Sequence, residues 1–200
     1  MYEKLGITKE VEELVNKAEQ KVKSILEQLD KNAEINSITV LSAFQKYRVS
    51  DVHFTSTTGY GYDDIGRECV EKIFAEVLKG EDALVRTQIV SGTHALTIAL
   101  FAMLRPGDTL ISIAGKPYDT LEKVIGIEDN PSSLKSFGVK YEEIDLMGNE
   151  FNTPAIVERL SKNDVKVVHI QRSRGYSLRE AISIEQIKNI IEKIKKVNEE

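Results

Sequence analysis

The chain has 200 residues, 41% of them hydrophobic, which is enough for one domain with a helical extension. A net charge of −5, from 27 basic and 32 acidic residues, gives no electrostatic reason to expect a nucleic-acid partner. The single cysteine, Cys69, excludes an intrachain disulfide and a multi-cysteine zinc site. No apolar run reaches the ~20 residues that span a bilayer and no secretory signal is visible, so a cytoplasmic location is expected.

The first 63 residues are predicted to form a helical arm followed by a loop. Apolar residues recur at helical spacing over 8–31, where Thr8 is the expected N-cap, and again over about 34–48. The periodicity stops at 49–66, a segment rich in Gly, Thr, Ser and Asp. Long irregular segments inside compact proteins are uncommon and often functional, which makes this loop a candidate for binding.

Helices and strands alternate over 64–200. Helices are predicted at about 64–79, 92–104, 118–126, from 153, and 184–197, with a helical turn near 131–137; strands are predicted at 83–89, 109–114, 139–145 and 165–171. This alternation predicts an α/β fold with a mainly parallel sheet and helices on both faces. The strand at 165–171 is nearly all apolar, as expected for a parallel strand covered on both faces.

Three helix ends carry local signals. Gly80 is expected to stop the first helix of the α/β part, and Thr153 to cap a helix that has Pro154 at its first position. Ser183 and Gln186 have the spacing of a capping box and predict the start of the last helix.

A possible anion site follows the strand predicted at 83–89, where Ser91, Gly92 and Thr93 lead directly into a helix. The unpaired backbone N–H groups and the positive dipole end of a helix start favour an anion, and phosphate is the commonest large one. Gly92 permits close approach, and both hydroxyls can donate hydrogen bonds. An N-cap with a packing glycine explains the same residues equally well, and neither a P-loop nor a G-x-G-x-x-G motif joins the strand to the helix.

Further candidates follow the later strands, at the carboxyl edge where open α/β sheets bind ligands. Tyr118 could stack on a flat ring or pack against a helix start. Arg172, Ser173 and Arg174 follow the strand at 165–171, where the arginines could clamp a carboxylate or phosphate or be solvated surface charges.

The irregular loop and the residue that follows it contribute Tyr60, Tyr62 and Arg67, whose phenol and guanidinium groups suit an anionic ligand; a glycine turn that exposes its tyrosines is the alternative. The three histidines lie far apart in the sequence, so no metal site is expected. His169, inside an apolar strand, is interpreted as a core residue.

Taken together, these segments resemble the methionine γ-lyase-like, or aluminium-resistance, family of pyridoxal-phosphate (PLP) enzymes. The segments are 40–68, 83–110, 115–126 and 167–177, and their most specific motifs are STTGYGYDDIGR and SGTHA. The family belongs to the Cys/Met-metabolism branch of the fold type I aminotransferase superfamily. The resemblance covers nearly the whole chain. It implies PLP as cofactor and elimination from a sulfur-containing amino acid, a small amino-acid substrate, as the activity.

The resemblance also implies roles for the candidates around the cofactor. Ser91 and the backbone amides of Gly92 and Thr93 would hold the PLP phosphate, and Tyr118 would stack on the pyridine ring. Ser173 would lie near the hydroxyl face of the cofactor.

Other candidates are implied to face the substrate or a second subunit. Arg172 and Arg174 would lie near the substrate. Tyr60 or Tyr62 would reach the phosphate of a neighbouring subunit, because active sites in this branch lie between subunits of a homodimer or homotetramer. The N-terminal helices would embrace that partner.

One departure from the family pattern limits these expectations. The resemblance implies a Schiff-base lysine and an aspartate paired with the pyridine nitrogen, and neither is recognisable past Tyr118. The lysines of the last helix are Lys188, Lys193, Lys195 and Lys196, and they are interpreted as solvated charge. The chain is therefore expected to be the N-terminal half of a longer enzyme, inactive alone, with a C-terminal half as a possible separate chain. A non-catalytic phosphometabolite-binding module and an inactive fragment stay open as alternatives.

Overall fold

The computed structural model describes residues 2–57 and 64–197, which form two compact units, Met1–Gln88 and Ile89–Glu200. Among the described residues, no helix is both long enough and apolar enough to cross a membrane. The domain boundary predicted between residues 63 and 64 adjoins residues outside this description and stays a prediction.

The first unit begins with a long helix. After a short 3-10 helix, Tyr2–Leu5, the helix α1 runs without interruption over Lys9–Lys46. Thr8 is its N-cap as predicted, because the Thr8 hydroxyl accepts the backbone N–H of Val11. The prediction of two helices was wrong. The sequence between them, 31–34, contains no Gly or Pro, so nothing in it ends a helix.

The second helix of this unit packs against the C-terminal part of α1. A 3-10 helix, Asp51–Phe54, precedes α2, Ile65–Leu78, whose N-cap is Asp64. The helix α2 ends at Leu78, and its C-cap residue Lys79, rather than the predicted stop Gly80, adopts the left-handed conformation at φ 58°. A small buried cluster joins α1 to α2 and consists of Ala43, Cys69 and Ile73.

No strand forms at 83–89 among the described residues, so that prediction was wrong. A strand requires a neighbour that completes its backbone hydrogen bonds, and here a side chain takes that place. The Glu71 carboxylate accepts the backbone N–H of Val85 at 2.9 Å and forms an ion pair with Arg86.

The second unit contains the predicted α/β sheet. Its described elements are α3 (Gly92–Met103), β1 (Thr109–Ser112), α4 (Asp119–Ile125), β2 (Lys140–Glu143), α5 (Thr153–Leu160), β3 (Val167–His169) and α6 (Ile184–Val197). The strand order is β2-β1-β3 and both pairings are parallel, with Leu110 opposite Tyr141 on one side and Val167 on the other. The prediction of an α/β fold with a parallel sheet is confirmed.

Helices cover both faces of this sheet because the side chains of β1 alternate. Leu110 belongs to a buried cluster with residues of α3 and α4. Ile111 and Ile113 belong to a cluster on the opposite face with residues of α5 and α6. Burial of each such side chain contributes roughly 1.5–3 kcal/mol. The central strand is therefore fully buried. Among the residues that the structure describes, β3 pairs with β1 alone, and it is half-buried and shorter than the predicted 165–171.

One local prediction in this unit needs correction, and two are confirmed. The segment 131–137 contains a helical turn as predicted, because the Phe137 N–H donates to the Ser133 carbonyl, four residues earlier, at 3.2 Å. Asn152, rather than Thr153, caps α5, because its side-chain oxygen accepts the N–H of Ala155 at 3.3 Å. The capping box of α6 is present: the Ser183 N–H donates to Gln186 at 2.8 Å and the Gln186 N–H donates to the Ser183 hydroxyl at 3.1 Å.

Candidate functional site

The start of α3 offers unpaired backbone donors. Ser91 is the N-cap, in extended conformation, and its hydroxyl oxygen accepts the N–H of His94 at 3.1 Å. The Ser91 carbonyl accepts the N–H of Ala95. Within the described part of the chain, no acceptor is assigned to the N–H groups of Gly92 and Thr93, the first two residues of the helix. These two donors point out of a helix start, the geometry that binds anions.

The surroundings of this helix start leave room for an anion. A Cβ atom added to Gly92 would meet no atom within 4 Å, so the space above its backbone is open. The first turn of α3 carries no acidic residue that would repel an anion. The His94 ring lies beside the turn, where its Nδ1 accepts the N–H of Val90 at 3.4 Å. The site therefore fits the phosphate of a cofactor.

Tyr118 lies at the start of α4, beyond the carboxyl end of β1. Its backbone N–H donates to the Gln171 side chain at 2.7 Å, across 53 residues of sequence. Its ring stacks on Tyr176, with centroids 6.0 Å apart and planes at 26°. The Tyr176 phenol, by hydrogen bonding, raises the pKa of Tyr118 above its usual value, so the Tyr118 phenol stays neutral at physiological pH. A half-buried aromatic ring is thus available at the edge of the sheet.

The segment after β3 closes into a loop over 172–182. Arg172 and Ile182 join its ends: the Arg172 Nε donates to the Ile182 carbonyl at 3.0 Å, and the Ile182 N–H donates back at 3.3 Å. The Arg179 guanidinium donates to the Ser173 carbonyl at 2.7 Å. The Arg174 carbonyl accepts the Ser177 hydroxyl at 2.7 Å. Part of the Arg172 guanidinium is therefore used for loop closure, whereas the Arg174 side chain is exposed.

The loop brings Ser173 and Tyr118 to the same glutamine. The Gln171 Nε2 donates to the Ser173 hydroxyl at 3.3 Å, while its Oε1 accepts the Tyr118 N–H. Sequence reasoning did not single out Gln171, Tyr176 or Arg179. The available signal was the position of Gln171 at the end of a predicted strand, but its partners are distant in sequence.

A serine and a histidine meet across β1 and β3. Ser112 lies opposite His169, and the Ser112 hydroxyl donates to the Gly115 carbonyl at 2.7 Å while lying 3.4 Å from the His169 Nδ1. Burial lowers the pKa of His169 below its usual value of 6.5, so the imidazole is neutral at physiological pH. This agrees with the interpretation of His169 as a core residue.

Arg67 lies in the first unit and lines a cavity of about 510 Å³ together with His53, Asp64, Arg86 and Gln88. The backbone N–H of Arg67 donates to Asp64 at 2.9 Å and, with the Thr57 hydroxyl, holds the pKa of that carboxyl below its usual value. Tyr60 and Tyr62, predicted to reach a phosphate, lie outside the described residues.

The described lysines of α6 lie on its exposed surface. Lys188 approaches Glu192 at 4.0 Å, and the Lys193 Nζ lies 3.5 Å from the Thr153 hydroxyl. Over residues 2–57 and 64–197, no three His, Cys, Asp or Glu residues cluster in a way that could hold a metal ion. The arrangement in the second unit can bind an anion at α3 and offer an aromatic face at Tyr118.

Three solved structures and one further relative are similar to this chain. A carbon-sulfur lyase involved in aluminium resistance from Clostridium novyi NT superimposes with a TM-score of 0.90 at 42% identity, covering 99% of this chain and 48% of that one. A Clostridium acetobutylicum protein, named as a candidate cystathionine beta-lyase involved in aluminium resistance, gives 0.92 at 42% identity, with 99% and 48% covered. A Listeria innocua protein of the same description gives 0.91 at 45% identity, with 96% and 47% covered.

The Bacillus subtilis (strain 168) protein YnbB is 46% identical over 184 residues, which are 90% of this chain and 44% of YnbB. The chain thus spans about half the length of the proteins it matches. A family model described as methionine gamma-lyase matches residues 11–200. With nearly every residue inside that match, the chain belongs to the methionine gamma-lyase family.

Proposed function

We propose that this chain supplies the phosphate-binding and ring-stacking part of a PLP site in a carbon-sulfur lyase. The observation that carries the proposal is the open helix start at Ser91-Gly92-Thr93, where two N–H donors have no assigned acceptor among the described residues. The family and the C. novyi lyase at 42% identity support the reaction class.

PLP, when bound, supplies an electron sink for elimination of a sulfur-containing group from an amino acid. In this proposal the N–H groups of Gly92 and Thr93 bind the dianionic phosphate, and the hydroxyls of Ser91 and Thr93 donate further hydrogen bonds to it. The ring of Tyr118 covers one face of the pyridine and excludes water from it.

The remaining candidates orient the other groups in the site. Ser173 lies beside the same glutamine as Tyr118 and is proposed to face the hydroxyl of the cofactor. Arg172 and Arg174 are proposed to bind the carboxylate of a small amino-acid substrate, for which an arginine provides matched donors. Tyr60 and Tyr62 are proposed to reach the phosphate bound by a second subunit.

The assembly is proposed to be a cytoplasmic homodimer or homotetramer. Large apolar side chains along α1 support this, since Leu14, Ile25 and Leu29 are 68%, 59% and 55% exposed. The covalent lysine and the aspartate for the pyridine nitrogen are proposed to come from residues other than these 200.

A cofactor analogue without an aldehyde tests the site, because it cannot react with surface lysines. We expect 4′-deoxypyridoxine 5′-phosphate to bind the chain, measured by the fluorescence of its ring, and 4′-deoxypyridoxine without the phosphate to bind at least about 100-fold more weakly. Tyr118→Leu should weaken binding of the phosphorylated analogue roughly fivefold through loss of ring stacking. Tyr47→Leu, in the other unit, is the control and should leave it unchanged.

Two results would contradict this proposal. Equal binding with and without the phosphate would remove the role of the α3 start. If inorganic phosphate or a non-aromatic phosphate ester bound as tightly as the analogue, the chain would instead be a phosphometabolite-binding module without a cofactor.

A further inference from the structure

The Gln171 side chain connects two segments that each carry a predicted cofactor residue. Its Oε1 accepts the backbone N–H of Tyr118 at 2.7 Å, at the start of α4. Its Nε2 donates to the Ser173 hydroxyl at 3.3 Å, with the Ser173 carbonyl at 3.5 Å. The contact with Tyr118 spans 53 residues, so no local turn explains it, whereas the contact with Ser173 spans two residues.

The chemistry of the partners determines which way the amide points. A backbone N–H can only donate, so Tyr118 requires the oxygen of Gln171. The amide nitrogen then faces Ser173, which offers a carbonyl and a hydroxyl, both able to accept. No other side chain of this length presents an uncharged acceptor and a donor on one rigid amide.

A second side chain holds the backbone of Gln171 itself. The Arg179 guanidinium donates to the Gln171 carbonyl at 3.2 Å and to the Ser173 carbonyl at 2.7 Å. The backbone of Gln171 is therefore anchored within the 172–182 loop by hydrogen bonds that do not involve α4. Charge-assisted hydrogen bonds of this kind are stronger than neutral ones, which makes the loop a stable support for the amide.

Small displacements of Tyr118 have consequences because its half-buried ring lies against the 172–182 loop. Gly175 has a φ of +56°, and a Cβ added there would lie 2.9 Å from the Tyr118 Cδ2. Tyr176 stacks on the same ring. A shift of the α4 start would move this ring against the loop, so the hydrogen bond at the Tyr118 backbone determines where the ring lies.

We propose that Gln171 is a positioning residue that holds the Tyr118 ring and the Ser173 hydroxyl in fixed relation for the cofactor. This inference rests on the proposed function, since it assigns Gln171 to the same site. Gln171 does not touch the cofactor in this proposal. It acts through the backbone of Tyr118 and the side chain of Ser173.

The test replaces the amide with an apolar side chain of similar length. In Gln171→Met we expect the Tyr118 amide to exchange with deuterium at least about tenfold faster, measured by NMR without any ligand, because its acceptor is gone. Affinity for 4′-deoxypyridoxine 5′-phosphate should fall roughly five- to tenfold. Gln171→Glu keeps the acceptor and should restore slow exchange at Tyr118.

Gln186→Met is the matched control. Gln186 makes an equivalent bridge at the start of α6, accepting the Ser183 N–H at 2.8 Å and donating to the Asn149 carbonyl at 2.9 Å. Its loss removes similar hydrogen bonds, and we expect no change in exchange at Tyr118 or in analogue affinity.

The outcomes separate this inference from the proposed function. If the unmodified chain does not bind the analogue, the proposed function is wrong. If, in addition, the Tyr118 amide exchanges at the same rate in Gln171→Met as in the unmodified chain, the role of Gln171 is wrong as well. If the unmodified chain binds but Gln171→Met binds equally well, Gln171 has only a structural role and the inference fails, whatever the exchange rates.

Discussion

Two helix starts in the second unit have the same cap but different surroundings. Ser91 begins α3 and Ser183 begins α6, and each hydroxyl accepts a backbone N–H at 3.1 Å. At α6 a glutamine side chain pairs with the N–H of the cap residue, and Glu185 provides an acid in the first turn. At α3 the first residue is Gly92, and no acid is present in the first turn.

A capped helix start is therefore not sufficient to form a binding site. At the α6 start, side chains of the helix itself pair with backbone N–H groups and place a negative charge near the positive end of the dipole. An anionic ligand would therefore gain little there. At the α3 start, the N–H groups of Gly92 and Thr93 have no assigned acceptor among the described residues, and the space above Gly92 is free. Each of the following predictions tests or refines this comparison.

Filling the open start should have the largest effect. Gly92→Asp places a carboxylate where the phosphate is proposed to bind, and repulsion should weaken binding of 4′-deoxypyridoxine 5′-phosphate about 100-fold or more. The fold should survive, since an acid in the first turn of a helix is favourable. The control is Ile184→Asp, at the first position of α6 and 67% exposed, which should leave binding intact. Strong binding by Gly92→Asp would show that the anion site lies elsewhere.

Removing each cap should have similar effects on stability but different effects on binding. Ser91→Ala and Ser183→Ala should each lower the free energy of unfolding by about 1 kcal/mol, measured by urea denaturation. Only Ser91→Ala should also weaken analogue binding, by roughly three- to tenfold, because that hydroxyl is a proposed donor to the phosphate. Equal binding losses in both variants would mean that the effect comes from the fold and not from the site.

The free energy of unfolding of the second unit should depend on pH in two separate ranges. Variants of the two helix starts should therefore be compared at a pH outside both ranges. Burial lowers the pKa of His169 from its usual value of 6.5, so the unfolded chain binds the proton more readily. This contribution to stability is complete above pH 6.5 and is lost as the pH falls through the lowered value. His169→Gln should remove this dependence from urea midpoints measured above and below pH 6.5.

The lower range comes from an ion-pair cluster. Arg159 donates to Glu142 at 2.8 Å and to Asp164 at 3.2 Å, and these hydrogen bonds lower the pKa of both carboxyls from their usual values of 4.5 and 3.8. Their contribution is complete above those values and is lost as the pH falls through the lowered ones. Arg159→Gln should flatten the urea midpoint profile below pH 4.5. An unchanged profile would mean that the pairs do not contribute, as is common for exposed ones.

The smallest effect is expected at the acid of α6. Glu185→Gln should lower the free energy of unfolding by about 0.3–1 kcal/mol, because a negative charge near a helix N-terminus is favourable. Added salt should reduce the difference between the variant and the unmodified chain. A larger loss that is insensitive to salt would indicate that Glu185 acts through packing instead.

Most of the fold could be predicted because its signals are local. Helical periodicity and capping residues identified α2 to α6, and the alternation of helices with strands identified β1, β2 and β3 with their boundaries shifted by a few residues. The strand predicted at 83–89 failed because apolar residues show only that a segment can be a strand. A partner strand decides whether it is one.

Local patterns in the sequence were enough to predict the parallel α/β architecture and the capped starts of α1, α3 and α6, since caps and side-chain periodicity act over a few residues. The bridge from Tyr118 through Gln171 to Ser173 and the stacking of Tyr176 on Tyr118 could be seen only in the folded chain. The same holds for the hydrogen bond from the backbone N–H of Val85 to Glu71. These contacts form between segments that are distant in sequence. Packing of the whole core decides how such segments meet, so no local sequence pattern predicts the contacts.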